Sequence, residues 1–315
     1  MTRAFHAAVP AAILHSPVPP DILHNLGATS VAPVPTLLIG GMTALYLLGA
    51  ARVRAVTPSS PWPARRTSAF IAAMAVTFVA IELAIGVYDD VLFYDHMVQH
   101  LLLVMIAGPL IAMGAPLELM RAATTGWAAR AVASILDSKI AGIVLHPLTG
   151  FVLYGVLIPV SHLTSLYNFT LENEAAHDLE HVAFLVVGYL FWRQVVAIEP
   201  SPRPIGPGVR LLFLAFAVPV DTFTGLALMS TAHEVFPAYL TFHRSWGPQL
   251  VTDLRMGGAI MWIGGDSLMG LAMAPVLVQW MHSEEARAVQ IDAELDAETD
   301  RELEGEMNRE VGAGE

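Results

Sequence analysis

The stretch HMVQHLLLVMIAGPLIAM, residues His96–Met113, contains 18 residues and no Asp, Glu, Lys or Arg. It is long and apolar enough to approach the roughly 20 residues a membrane-crossing helix needs. Six more windows share its character on either side. They run over Val34–Val53, Thr67–Val87, Ile140–Val160, His177–Val196, Val209–Ser230 and Met256–Val278. An open sheet cannot satisfy its backbone in lipid, and windows this long do not suit barrel strands. The reading is an all-α integral membrane protein, a bundle of seven transmembrane helices forming one domain over residues 34–280.

Composition agrees. Of 315 residues, 55% are hydrophobic and 14% charged, against about 25% charged in an average soluble domain. Ser283–Glu315 holds 12 acidic and 3 basic residues, so the first 282 carry only −3 of the total −12. The chain therefore divides into a tail at 1–33, the membrane domain, and an acidic tail at 281–315, read as solvated and partly helical. No basic patch suggests nucleic acid as a partner. The chain has no Cys, which removes disulfides, thiolate metal sites and iron–sulfur clusters. Seven spans put 13 of the 16 basic residues on one side, Arg52, Arg54, Arg65 and Arg66 among them. That bias predicts an N-terminus outside and a cytoplasmic C-terminus. Residues 1–26 make a poor signal peptide, because Pro10, Pro17, Pro19 and Pro20 interrupt the apolar run.

Histidine is the residue that points to chemistry. With this topology, ten of the twelve fall on the outer side. His96 and His100 open the third span, His162 closes the fourth, and His177 and His181 open the fifth; His233 lies in the loop after the sixth. Four of these form two i, i+4 pairs, HMVQH and HDLEH. On a helix such residues stack on one face, where two imidazoles can hold one metal. Neither pair matches HExxH, so the zincin pattern is not met. The positive end of the helix dipole favours neutral imidazole, the ligand form. Asp89, Asp90, Asp95, Asp178 and Glu180 lie close by in sequence and can offset the dipole's repulsion of a cation. The pairs are placed at the outer surface, where a helix end exposes them. Met97, Met229 and Met256 fall near the outer ends of their spans. Imidazole with thioether suits Cu(I), and imidazole alone also suits Zn(II) or Cu(II). Glu82, Asp221 and Asp266 fall within spans, where a charge costs roughly 2.5–3.5 kcal/mol on insertion scales; each should face inward with a partner.

The run Asp95-His96-Met97-Val98-Gln99-His100-Leu101-Leu102-Leu103, with Gly114-Ala115-Pro116-Leu117 after it, resembles the CtaG-like family of multi-spanning assembly factors for bacterial cytochrome c oxidase. Matches continue in order: His146-Pro147, His162 with Leu166-Tyr167, His177-Asp178-Leu179-Glu180-His181 with Phe184, Phe191-Trp192, Pro237-Ala238-Tyr239 and Gly257-Gly258-Ala259-Ile260-Met261-Trp262. The resemblance implies assistance in building a haem–copper oxidase by supplying copper. It further implies a bacterial plasma-membrane location, and as partners the bilayer, the oxidase subunits and a periplasmic copper donor. The expected metal ligands are His96, His100, His177, His181, His162 and Glu180, with Met229 or His233 exchanging in. A zinc-dependent intramembrane hydrolase using the same histidines, with Glu180 or Asp221 as base, is the alternative. Paired histidines also suit haem. A retinal protein is excluded, since the sole Lys, Lys139, lies outside the seventh span.

Overall fold

The computed structural model describes residues 32–241 and 246–313, with side chains described as far as Arg301. These residues form helices and no strand. Six helices are long and apolar enough to cross a membrane: Pro33–Val56, Ala64–Tyr88, Phe93–Ala123, Glu174–Val196, Pro207–Met229 and Leu250–Arg301. The pair Pro147–Leu163 and Leu166–Glu172, bent by 69°, passes the same test when taken together and brings the number up to seven if it is one span. We number the spans one to seven in chain order. Leu37, Leu45, Phe216, Phe223 and Leu271 point outward, as lipid contact requires of the rim of a membrane bundle.

Spans three, five, four, six and seven pack in that order and close back on span three. Spans one and two lean on the outside of this ring, against span three. The ring's core is aromatic and aliphatic: Phe93, Tyr154, Tyr167, Phe184, Phe191, Leu214 and Met261 are all buried. The intramembrane acids stitch the bundle. Glu82 accepts from Ala32 N and Thr36 Oγ1, both at 2.8 Å, tying span one to span two. Both Asp221 oxygens lie 2.7 Å from Tyr154 Oη, joining span six to span four. Thr222 Oγ1 donates to Asp266 at 2.7 Å, joining six to seven.

Glycine sets the crossing of spans three and five. A Cβ on Gly108 would lie 2.9 Å from the Gly188 carbonyl carbon, and one on Gly188 would lie 2.9 Å from Val104 Cα. Neither Cβ exists, so the two backbones meet directly, as small residues allow in membrane bundles. The helix of span three changes register at the same level, running as a π-helix over Leu102–Ala107. Pro109, just beyond, has no N–H to offer an α-helical bond.

Span two is broken. Its helix Ala64–Glu82 stops at Leu83, which is extended (φ −96°, ψ −167°), and resumes as Ala84–Tyr88. At the break the backbone packs so tightly that a Cβ on Gly86 would collide with the Ile81 carbonyl. Two expectations need correcting. The fourth window starts too early: Lys139–Val144 is a separate short helix, and the span begins at Pro147, behind a cap in which His146 Nδ1 accepts from Leu148 N at 3.2 Å. The acidic tail is more ordered than expected, since one helix runs from Gly265 to Ala313.

Candidate metal centre

Two helix starts present the histidine pairs. The Asp253 carboxylate, from span seven, accepts from Phe93 N at 3.2 Å and Tyr94 N at 3.0 Å. It thereby caps the first turn of span three, whose N–H groups have no partner in their own helix. His96 and His100 follow on the next two turns. Asn173 Oδ1 accepts from Ala176 N at 3.1 Å and caps span five in the same way, just ahead of His177 and His181. The break in span two supplies the third wall. It leaves the Ala80 carbonyl free to accept from Gln99 Nε2 at 3.0 Å, and the same nitrogen donates to Asp89 Oδ2 at 2.6 Å. Gln99 thus fixes Asp89 against the helix that carries His96.

Asp89, His96, His177 and His181 each offer one ligand atom within 4.8 Å of the other three. Asp89 Oδ2 lies 3.2 Å from His177 Nε2 and 3.4 Å from His181 Nε2. Ring centroids are 4.5 Å apart for His177 and His181, and 5.9 Å apart for His96 and His177. Residue exposures are 0% for Asp89 and His96, 1% for His177 and 3% for His181. Asp89 lies outside the spans. Burial pushes its carboxyl up, but hydrogen bonds and charge from His177 and His181 more than offset this and hold it well below the usual carboxylate range.

His100 and His162 form a second contact, with centroids 5.1 Å apart. His96 stands between the groups, 5.9 Å from His162. His162 Nδ1 lies 2.8 Å from the Ile158 carbonyl and 2.8 Å from Ser161 Oγ. The carbonyl can only accept, so Nδ1 carries the proton and Nε2 keeps a lone pair. Phe184 stacks beside His162 and lies edge-on to His100. Glu180, buried nearby, accepts from Thr170 Oγ1 at 2.9 Å.

The donor set suits a metal. Both ring nitrogens of His96, both of His100 and Nε2 of His162 are buried with no hydrogen-bond partner among the described residues. Buried polar atoms are normally paired, and leaving one unpaired costs about 1–3 kcal/mol. An ion that accepts imidazole lone pairs removes that cost. Nitrogen with one carboxylate and no thiolate fits zinc or copper.

The two i, i+4 pairs therefore meet. They do so as buried rings rather than at an exposed surface, because Tyr167, Phe236 and Tyr239 pack over the N-terminal end of span three. The first pair also divides: His96 joins His177 and His181, which stay together, whereas His100 turns to His162. Other candidates lie apart. His233 is exposed, His282 is exposed in the tail, and His146 is a helix cap. Met97 and Met229 pack toward Gly257 and Gly258 of span seven, and Met256 is exposed. Asp221 is held by Tyr154. Sequence reasoning took Asp89 only as a charge offset; it is a group at ligand distance. Gln99, which holds it, went unremarked although it sits inside the HMVQH motif.

Comparisons with known proteins place this architecture. The chain is 25% identical over 301 residues to an uncharacterized protein of Mycobacterium leprae, covering 89% of this chain and 43% of the relative. It is 28% identical over 262 residues to uncharacterized proteins of Mycobacterium bovis and Mycobacterium tuberculosis, covering 80% of this chain and 39% of each relative. The chain thus spans about two-fifths of the length of these relatives. No solved structure matches it. The family described as cytochrome c oxidase caa3 assembly factor matches residues 44–283, a stretch that runs from within span one into the helix of span seven and contains every histidine of the buried cluster. This multi-spanning chain belongs to the family of cytochrome c oxidase caa3 assembly factors.

Proposed function

We propose that the protein assists assembly of a caa3-type cytochrome c oxidase by binding copper as cargo and supplying it to the enzyme. Asp89, His96, His177 and His181 would hold the ion, with His100 and His162 beside them. The observation that carries the reading is His96: fully buried, with both ring nitrogens unpartnered, and within 4.8 Å of three further ligand atoms. Family membership supports oxidase assembly as the destination. Copper is the cargo that such an oxidase needs, and an imidazole-rich set without thiolate can take it. The bias of basic residues supports a multi-pass orientation in a bacterial plasma membrane with the N-terminus and the cluster on the outer side. A periplasmic copper donor and the oxidase subunits are the partners in this scheme.

Metal analysis of the full chain purified in detergent tests the proposal, comparing wild type with His96→Ala and His181→Ala. Copper should accompany wild type and fall in both variants. Cells carrying either variant should make oxidase polypeptide but little active enzyme, and added copper should partly restore activity. Full oxidase activity in copper-limited variant cells would reject copper delivery. Zinc in place of copper, with hydrolytic activity lost on substitution, would favour a hydrolase.

A further inference from the structure

We infer that the cluster holds two ions in separate stations, and that His162 is the one through which cargo enters or leaves. The inference rests on the copper reading above and adds a second site and a route to it.

Three observations carry it. The ligand atoms within 4.8 Å of one another come from Asp89, His96, His177 and His181; His100 and His162 are not in that group. These two have their own contact at 5.1 Å between centroids, walled by Phe184. The His162 tautomer is set by Ile158, so its unpartnered Nε2 is a lone pair, and both ring nitrogens of His100 are equally unpartnered. Two imidazole donors in contact beside an aromatic wall suit Cu(I), which is stable with few soft or borderline ligands. His96 stands between the stations, 5.9 Å from His162. A neutral imidazole offers a single lone pair, and that of His96 serves the carboxylate-containing group.

The second station lies next to an opening. A cavity of about 600 Å3 is lined by His162, Thr164, Asn168, Thr231, Val235 and Phe236. Of the five histidines in the cluster, His162 alone lines it. The stations therefore differ in chemistry. One is anionic, which favours retention. The other is neutral and next to an opening, which favours exchange with an incoming or departing ligand.

Anaerobic titration of the purified full chain with Cu(I), with bound copper counted after desalting, tests both points. Wild type should take two ions. His162→Gln and His100→Gln, made separately, should each take one, and His181→Gln should also take one. Leu163→Trp, at the cavity mouth, should keep two ions but release them to an external chelator at least about tenfold more slowly. Two ions retained in both His162→Gln and His100→Gln, or a single ion in wild type, overturns the second station while the copper reading stands. Wild-type release rates in Leu163→Trp overturn the route. No copper bound by wild type overturns this inference and the proposed function together.

Discussion

Replacing Gly188 by Ala puts a Cβ 2.9 Å from Val104 Cα and 3.0 Å from the Val104 carbonyl oxygen. Both are backbone atoms and cannot swing aside. Reaching ordinary contact at 3.4 Å requires spans three and five to separate locally by about 0.5 Å. Metal sites tolerate roughly 0.2 Å in ligand distance, so a shift of this size exceeds what the cluster can absorb. His96 and His100 move with span three, whereas His177 and His181 move with span five. Overpacking costs about 1–3 kcal/mol, and Ala in place of Gly returns up to about 1 kcal/mol of helix propensity. Fold stability should therefore fall by no more than about 2 kcal/mol, while copper affinity falls at least tenfold, or about 1.4 kcal/mol. The assay is competition for Cu(I) against a chelator of known affinity, in detergent, beside a thermal melt. Gly155→Ala is the control, since nothing lies within 4 Å of its Cβ position; it should leave affinity unchanged. A folded Gly188→Ala protein with affinity within twofold of wild type would refute the idea that this crossing sets the site.

Three further outcomes are expected. Glu82→Leu strands Ala32 N and Thr36 Oγ1 and should lower stability by about 1–3 kcal/mol, with copper content unchanged; a loss of copper would mean that Glu82 acts on the site. Asp89→Asn removes the anion facing His177 and His181 and should reduce retained copper, while His162→Gln alters a different ion, so copper counts in the double variant should show additive losses. Because the folded Asp89 carboxyl is depressed, its stabilisation is present above its unfolded value of about 3.9 and is lost as pH falls through the lower folded value. In metal-free protein the melting-temperature gap between wild type and Asp89→Asn should hold from about pH 7 to pH 5 and close below about pH 4; a gap already closed at pH 6 contradicts this.

The spans were legible because a bilayer demands long apolar runs, and the two histidine pairs because i, i+4 spacing survives any packing. The division of the His96/His100 pair was not legible. Stacking on one face still separates the two rings by a helical turn, so each meets a different neighbour, and the choice between His162 and His177 depends on how spans four and five cross. The Leu83 break was hidden for a similar reason: no Pro marks it, and the close approach of Gly86 to Ile81 exists only in the folded chain. Asp89 consequently read as a loop acid, although it packs against His177 and His181. The late start of span four did have a signal in His146-Pro147, a cap followed by Pro at the first helical position, which the apolar run from Ile140 obscured.

The unbroken helix from Gly265 to Ala313 has a mechanical meaning. Beyond Ser283 it extends about 46 Å at 1.5 Å per residue, comparable with the full thickness of a bilayer. A stiff rod with a net charge of −8 over Ser283–Ala313 keeps the like-charged rods of neighbouring copies apart over a range of about 8 Å at physiological salt. It therefore acts as a spacer, reserving clear volume next to the membrane beneath each bundle and holding back acidic neighbours, while a basic surface can approach it from the side.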